Sequence, residues 1–508
     1  MPRTLIEIDR SSSEPLYRQV RRVIEHGIAV GIFDARRRLP SSRELAAELK
    51  VSRNTINLAY QELLTEGLVL SHERRGIFVN PEMLAAAAVE APATESMIDW
   101  SSRMRRYADE GVPEVEKTAD WYKYPYPFVA GQVDVHSFPA TAWVRSLREA
   151  LYQPHRFASL QDSVGADDPM LVEMIRRQIL PARGIEAGPD EILITVGSQQ
   201  GLDLLARTLL GPHHRVGIEN PGYLDARHIF LRTGAQVYGI DVDRDGLCLP
   251  ETLSGTALLY VTPSHHHPTN VTLSMERRRR LLNLAAASGT VVIEDDYDSE
   301  FRYEGSPSPA LKALDSTGDV LYLGTFSKFL SPGLRLGFLV GPAELIRELR
   351  KVRRYQVRHP PGHLQRALAL MIDSGDYHRA LRRHRRQMKS RWEMVSSLSA
   401  QYLPWDQGSY PPGGVSLWVE GPPGLDALEL VRRVEKRGVL IERGDIYFIQ
   451  PDAPRNCFRI GFGAIPLRSI AEGLAVVGEE AKILLGQGAI EDYDGGPGGT
   501  AGGTVARA

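Results

Sequence analysis

Lys328 lies in LGTFSKFLSPGLR, residues 323–335, with Thr325 and Ser327 before it and Gly333 and Arg335 after it. A lysine in such a loop, directly after the apolar run VLYL, is either a surface cation, where most lysines sit, or a desolvated amine that captures a carbonyl. Three other segments bear on that choice. ITVGSQQGLDLLARTLL reads as a strand, a glycine turn and a helix. The first helical residues, Ser198 and Gln199, offer free backbone N–H groups and a positive dipole end to a phosphate. VVIEDDYDSE closes a strand with Asp295 and Tyr297 two apart, which puts them on one face if the chain stays extended. An aspartate there can keep a pyridine nitrogen protonated, and a tyrosine can hydrogen-bond a phenolic oxygen. ENPGYLDARH offers Tyr223 as a flat partner for a ring. Thr325, Ser327 and Arg335 would bind the phosphate while Lys328 forms an imine. Each segment alone is a weak signal; in this order they supply what pyridoxal 5′-phosphate requires.

These residues need a scaffold. From 121 to 485, the strand-like runs EILITVG, RVGIEN, ALLYVTPS, TVVIEDDYD and VLYLGTFS alternate with helical stretches. That pattern predicts an α/β domain with a mainly parallel sheet covered by helices. Residues 81–120 lose periodicity and turn Ala-, Pro- and acid-rich, which reads as a linker, and the Gly-rich residues 486–508 read as a disordered tail.

Residues 1–80 form a separate unit. PLYRQVRRVIEHGIAVGIF carries Leu16, Val20, Val23, Ile24 and Ile28 at helical spacing. Ser41 with Glu44 makes a capping box for a second helix. Ser52 then caps a third, with Ile56, Ala59 and Leu63 inward and Arg53, Asn54, Thr55 and Asn57 outward. LVLSHERRGIFV reads as two short strands around a charged turn ending at Gly76. Two helices joined by a tight turn suit a recognition helix in a major groove. Arg53 and Asn57 would reach base edges, Ser42, Ser52 and Thr55 phosphates, Arg74 and Arg75 the backbone or minor groove, and Arg43, on the preceding helix, would also reach DNA. Spacing alone also allows a small helical domain that binds protein.

Composition sets outer limits. A chain of 508 residues exceeds one ordinary core, so at least two domains are expected. No apolar run approaches a membrane span, and no secretory signal opens the chain, so a cytoplasmic protein without membrane contact is expected. The two cysteines, Cys248 and Cys457, lie far apart outside any CxxC spacing, which argues against a disulfide scaffold or structural zinc. Net charge is −2, yet residues 1–80 hold 13 Lys and Arg against 10 Asp and Glu, a local positive excess where the helical unit lies. The basic stretch between 351 and 391 reads as a solvated helix face, with a secondary DNA contact as its alternative.

The N-terminal stretches PLYRQV, LPSSRELAAELKVSRNTINLAYQELLTEGL and RRGIFV resemble the winged helix-turn-helix of GntR-type bacterial regulators. That resemblance puts Arg43, Arg53, Thr55 and Gly76 at the DNA surface. TVGSQQGLDLL, PGY, TPSH, IEDDYDSEFRY and GTFSKFLSPGLRLGF resemble class I aminotransferases of fold type I, and the whole of 12–485 resembles the MocR branch of the GntR regulators. The resemblance implies a pyridoxal-phosphate-binding domain with a smaller C-terminal subdomain and a head-to-tail homodimer on double-stranded operator DNA. In FRIGFGAI, Arg459 takes the position that clamps a substrate α-carboxylate in such aminotransferases, where an arginine fork suits a carboxylate. The expected function is transcription regulation, with an amine or amino-acid effector exchanging for Lys328 on the cofactor. The alternative is an active aminotransferase with an accessory DNA-binding domain. Two departures stand out. LQDSVGADDP, 160–169, lacks the family's tyrosine that reaches a partner's phosphate. TPSHHHPTN puts His267 where aminotransferases often keep an asparagine near the ring oxygen, which leaves more of that task to Tyr297. His265–His267 could also suggest metal, but no Cys or acid stands at ligand spacing.

Overall fold

The computed structural model describes residues 8–10, 12, 14–33, 37–73, 75–82, 98–104, 107, 111–305, 308–405 and 410–486. Arg74 and the tail 487–508 lie outside the described residues. The chain divides into two compact units, Met1–Arg105 and Arg106–Ala508.

In the first unit, helix Leu16–Ala29 buries Val20, Val23 and Ile24, whereas Leu16 remains 37% exposed although its spacing would place it inside. The capping box before Ser42–Glu48 is formed in both directions. The Glu44 N–H donates to Ser41 Oγ at 3.2 Å, and the Ser41 N–H donates to the Glu44 carboxylate at 2.7 Å. Helix Arg53–Thr65 is capped by Ser52, whose Oγ accepts the Thr55 N–H at 3.1 Å, and it buries Ile56, Ala59, Tyr60 and Leu63. Strands Val69–His72 and Gly76–Val79 pair antiparallel, with His72 opposite Gly76. Gly76 has φ +105°, a conformation that favours glycine, so the wing turn depends on it.

The second unit is built on an eight-stranded sheet. Its order is Ile192–Thr195, Gly337–Val340, Val320–Thr325, Val291–Asp295, Leu258–Val261, Arg215–Asn220, Gln236–Asp243 and Gly246–Leu247. Gly337–Val340 and Gly246–Leu247 run antiparallel to their neighbours, and the other neighbouring strands pair parallel. Strands Leu258–Val261 and Val320–Thr325, inside the sheet, are apolar and buried along their length, as strands covered on both faces are. Gly197, Asp295 and Lys328 therefore all stand at or just beyond the C-terminal ends of strands, where open α/β sheets keep their ligand crevices. A smaller three-stranded antiparallel sheet, Ser416–Glu420, Cys457–Gly461 and Glu442–Arg443, sets Arg459 opposite both Trp418 and Glu442.

Three sequence expectations change. The strand carrying Asp295 ends at that residue, and Tyr297 begins a turn, so the two do not share a strand face. The basic stretch is not one solvated face. Arg353 is wholly buried and donates to Asp167 at 2.6 Å, and Arg391 is buried and donates to Asp134 at 2.8 Å. A buried guanidinium requires a carboxylate partner, and distant acids supply it. Finally, part of the stretch read as linker packs on the second unit: Val112 and Val115 lie against Leu224, Ile446 and Tyr447.

Candidate cofactor site and DNA-facing surface

A cavity of about 500 Å³ opens at the strand ends, and Gln199, Tyr223, His267, Lys328 and Arg459 line it. Lys328 is half-buried, and its Nζ lies 5.6 Å from the centre of the Tyr297 ring. Burial, and then the nearby Arg459 charge, lower the lysine's pKa and favour the neutral amine.

Beneath that amine lies a layer of polar groups. Tyr260 donates to Asp295 Oδ2 at 2.8 Å. Among the described residues, Asp295 Oδ1, Tyr297 Oη, Ser327 Oγ and His267 Nδ1 are buried here without a hydrogen-bond partner. A buried polar atom left unpaired costs about 1–3 kcal/mol, so such atoms on Tyr297, His267 and Asp295, and on Ser327 next to Lys328 in the chain, suit a site that receives something polar. Burial pushes Asp295 up to about 7, against the Tyr260 hydrogen bond, and raises Tyr297 well above the usual phenol range.

The opposite end suits a phosphate. Helix Gly197–Leu209 begins with φ +76° at Gly197, and a Cβ there would stand 2.9 Å from Arg335 Nη2. The guanidinium therefore rests on the bare glycine at the helix start. Arg335 itself has φ +49° and donates to the Val196 carbonyl at 3.4 Å. The Ser327 N–H donates to Thr325 Oγ1 at 3.2 Å, which shapes the lysine loop and engages that hydroxyl. Thr325 lines a second cavity of about 220 Å³ instead of the one at Lys328. Ser198 is half-buried at the start of the same helix, and Gln199 donates to Asp225 at 3.3 Å. Tyr223 donates to Asp225 at 3.0 Å and stacks at 27° on Tyr260, with ring centres 6.5 Å apart.

Arg459 is only 5% exposed. It donates from Nε to Ser416 Oγ at 2.8 Å and from Nη1 to His267 Nε2 at 3.0 Å. Guanidinium has donors only, so Nε2 is the acceptor and the neutral ring carries its proton on Nδ1, the unpartnered atom. Burial, then Arg459 and Lys328, hold His267 well below its ordinary pKa. His267 thus leaves a second donor near Tyr297, whose ring centre is 5.9 Å away. The other two histidines face elsewhere: His265 pairs with Asp298 at 2.9 Å and His266 with Thr269 at 2.7 Å. Among the described residues no cluster of three or more His, Cys, Asp or Glu could hold a metal ion.

Sequence reasoning missed Tyr260, Glu442, Tyr447 and the stretch Glu114–Lys117, all of which touch the site. A tyrosine inside the wholly buried strand Leu258–Val261 had to find a polar partner, which is the one signal that could have revealed Tyr260.

In the first unit, Arg43, Ser52, Arg53, Asn57, Arg75 and Gly76 are exposed, and Thr55 is half-buried. Ser52 and Thr55 hydroxyls bond each other at 2.8 Å, so both serve the cap of the third helix. Asn57, Ser42 and Gly76 share the walls of a cleft of about 320 Å³ with Arg38 and Gln61, which joins the third helix to the wing.

Residues 16–79 match the bacterial regulatory proteins of the gntR family, and residues 130–476 match the aminotransferase class I and II family. The HTH-type transcriptional regulator TauR of Rhodobacter capsulatus is 39% identical over 468 residues, covering 91% of this chain and 95% of its own length. The probable rhizopine catabolism regulatory protein MocR of Rhizobium meliloti is 31% identical over 497 residues, covering 96% of this chain and 98% of its own. Among solved structures, kynurenine aminotransferase of Pyrococcus horikoshii, in complex with PMP, is 28% identical with a TM-score of 0.69, over 77% of this chain and all of that one. No helix among the described residues is long and apolar enough to cross a membrane. A GntR helix-turn-helix joined to a fold-type I aminotransferase domain is the MocR architecture, and this chain belongs to that branch of the GntR regulators.

Proposed function

We propose that this transcriptional regulator holds pyridoxal 5′-phosphate at Lys328 and reads an amine or amino acid that competes with Lys328 for the cofactor's carbonyl. The observation that carries this reading is the group of buried, unpartnered polar atoms around a lysine with a lowered pKa. When bound, the cofactor supplies an aldehyde for amines and an electron-withdrawing ring. The chain's own residues supply the rest. Asp295 Oδ1 would accept from the ring nitrogen, Tyr297 Oη and His267 Nδ1–H would donate to the ring oxygen, and Tyr223 would cover a face. Arg335, Ser327 and the N–H groups at Ser198 and Gln199 would hold the phosphate. Arg459 would meet an effector's anionic group. Arg43, Arg53, Asn57, Arg75 and Gly76 would form the operator contact, with Ser42, Ser52 and Thr55 at phosphates, in a homodimer on two half-sites.

The test loads purified protein with the cofactor and screens amines for shifts in its visible spectrum, with operator binding followed at fixed salt. A visible band, amine-dependent shifts and a matching change in operator affinity are expected. A colourless protein with no borohydride-trapped adduct overturns the reading. Sustained turnover of amino donors and keto acids would mark an aminotransferase instead.

A further inference from the structure

The anion position at Arg459 already has a carboxylate beside it. Glu442 lies directly opposite Arg459 in the antiparallel register, and its Oε2 stands 3.5 Å from Arg459 Nη1. Cross-strand neighbours of opposite charge on one face attract as a consequence of the fold itself. Both residues line the Lys328 cavity, and Tyr447, which lines it too, adds its hydroxyl beside them. A guanidinium grips a carboxylate through two parallel N–H bonds along one of two edges. Here each edge has a donor engaged: Nε by Ser416, and Nη1 by His267 and Glu442. An incoming carboxylate forms that paired grip only by displacing Ser416 from one edge or Glu442 and His267 from the other, and on either edge it brings a second negative charge beside Glu442 around one arginine.

We propose that Glu442 is an internal competitor for Arg459, so that the site discriminates weakly between an α-amino acid and the same amine without its carboxylate. Glu442 is a specificity-determining residue: its charge, rather than the presence of the arginine, sets how much an effector's carboxylate contributes. This rests on the reading of Lys328 and the cofactor given above.

The experiment titrates cofactor-loaded, full-length protein with L-alanine and with ethylamine, its decarboxylated counterpart, and reads the visible spectrum. In the unaltered chain the affinity ratio of alanine to ethylamine is expected to be small. In Glu442→Gln the ratio rises by about tenfold, as expected when a like charge leaves a partly buried anion site. Glu442→Ala, which also removes the hydrogen-bonding group, raises it as well, and Arg459→Gln brings it down towards unity. A ratio unchanged in both Glu442 variants overturns the proposal while leaving the Lys328 reading intact. Absence of any spectral response to either amine overturns both.

Discussion

Tyr260 donates to one oxygen of Asp295 at 2.8 Å and leaves the other oxygen buried and unpartnered. The hydroxyl orients the carboxylate, and the free oxygen is the one that can accept from a ring nitrogen. Asp295→Asn keeps the shape but cannot hold a pyridine protonated. That variant is expected to bind the cofactor at least about tenfold more weakly and to shift its visible band, since a charge-assisted bond at a buried site is worth about 1.5–3 kcal/mol. Tyr260→Phe should have a smaller effect in the same direction. Titration of cofactor-free protein, followed by absorbance, checks both; equal affinity in Asp295→Asn would count against the assignment.

Gly197→Ala tests the other end. At φ +76° an alanine is strained by about 1 kcal/mol, and its Cβ would meet Arg335 Nη2 at 2.9 Å. The guanidinium must then leave the helix start. A fall of a few degrees in Tm and a marked loss of affinity for the cofactor are expected, whereas pyridoxal without its phosphate should be affected far less. Parallel titrations with the two vitamers read the difference.

The fold was legible because each level of the sequence agreed with the next. Ser41 with Glu44, and Ser52 before Ile56, Ala59 and Leu63, are local signals that the described caps and core reproduce. The apolar runs ending at Thr195, Asp295 and Thr325 announced a buried parallel sheet, and strand ends are where chemistry collects. What sequence could not reveal is pairing across long separations. Glu442 meets Arg459 because a two-residue strand sits beside Cys457–Gly461, and nothing in ERGD shows that register. Asp167 meets Arg353, 186 residues away, so a basic stretch that looked solvated is partly core. The relation of Asp295 to Tyr297 depended on where a strand stopped, which spacing alone does not say.

Stability of the cofactor-free protein should respond to pH through its buried carboxylates. Burial raises Asp295 to about 7 and Glu219 to about 8, although Thr262 hydrogen bonds oppose the latter. Folded protein then holds protons that the unfolded chain, with carboxyl pKa values near 4, has released. Stability therefore falls as pH rises from about 4 to about 7 through Asp295 and from about 4 to about 8 through Glu219, by up to about 1.4 kcal/mol per pH unit for each group, and levels off above those values. His266, held at about 3 by burial, acts oppositely: the unfolded chain takes its proton below about 6.5, so stability falls on acidification there. Above about pH 6.5 the His266 contribution ends, and the carboxylates alone of these groups act, Asp295 up to about 7 and Glu219 up to about 8. Tm of cofactor-free protein should drop across the window from about pH 6.5 to about 8 and level off above, and Asp295→Asn should flatten the slope below about pH 7. A Tm that rises with pH in the window would contradict the assignment.

The recognition helix permits a separation of contact from scaffold. Arg53 is exposed at its first turn and makes no contribution to the core, whereas Ser52 caps that turn through Thr55. Arg53→Ala should weaken operator binding by about 1–3 kcal/mol if the guanidinium reads a base edge, with Tm unchanged and full cofactor content. Were it a phosphate contact instead, binding would weaken on all sequences alike and the salt slope would fall by about one. Ser52→Ala removes a cap worth about 1 kcal/mol, so it should lower the Tm of the N-terminal unit as well as DNA affinity. Gel-shift titrations at several salt concentrations, paired with thermal unfolding, distinguish these outcomes. Loss of affinity in Ser52→Ala with Tm unchanged would make Ser52 a phosphate ligand in its own right, and an Arg53→Ala variant with undiminished operator binding would move the reading surface away from this helix.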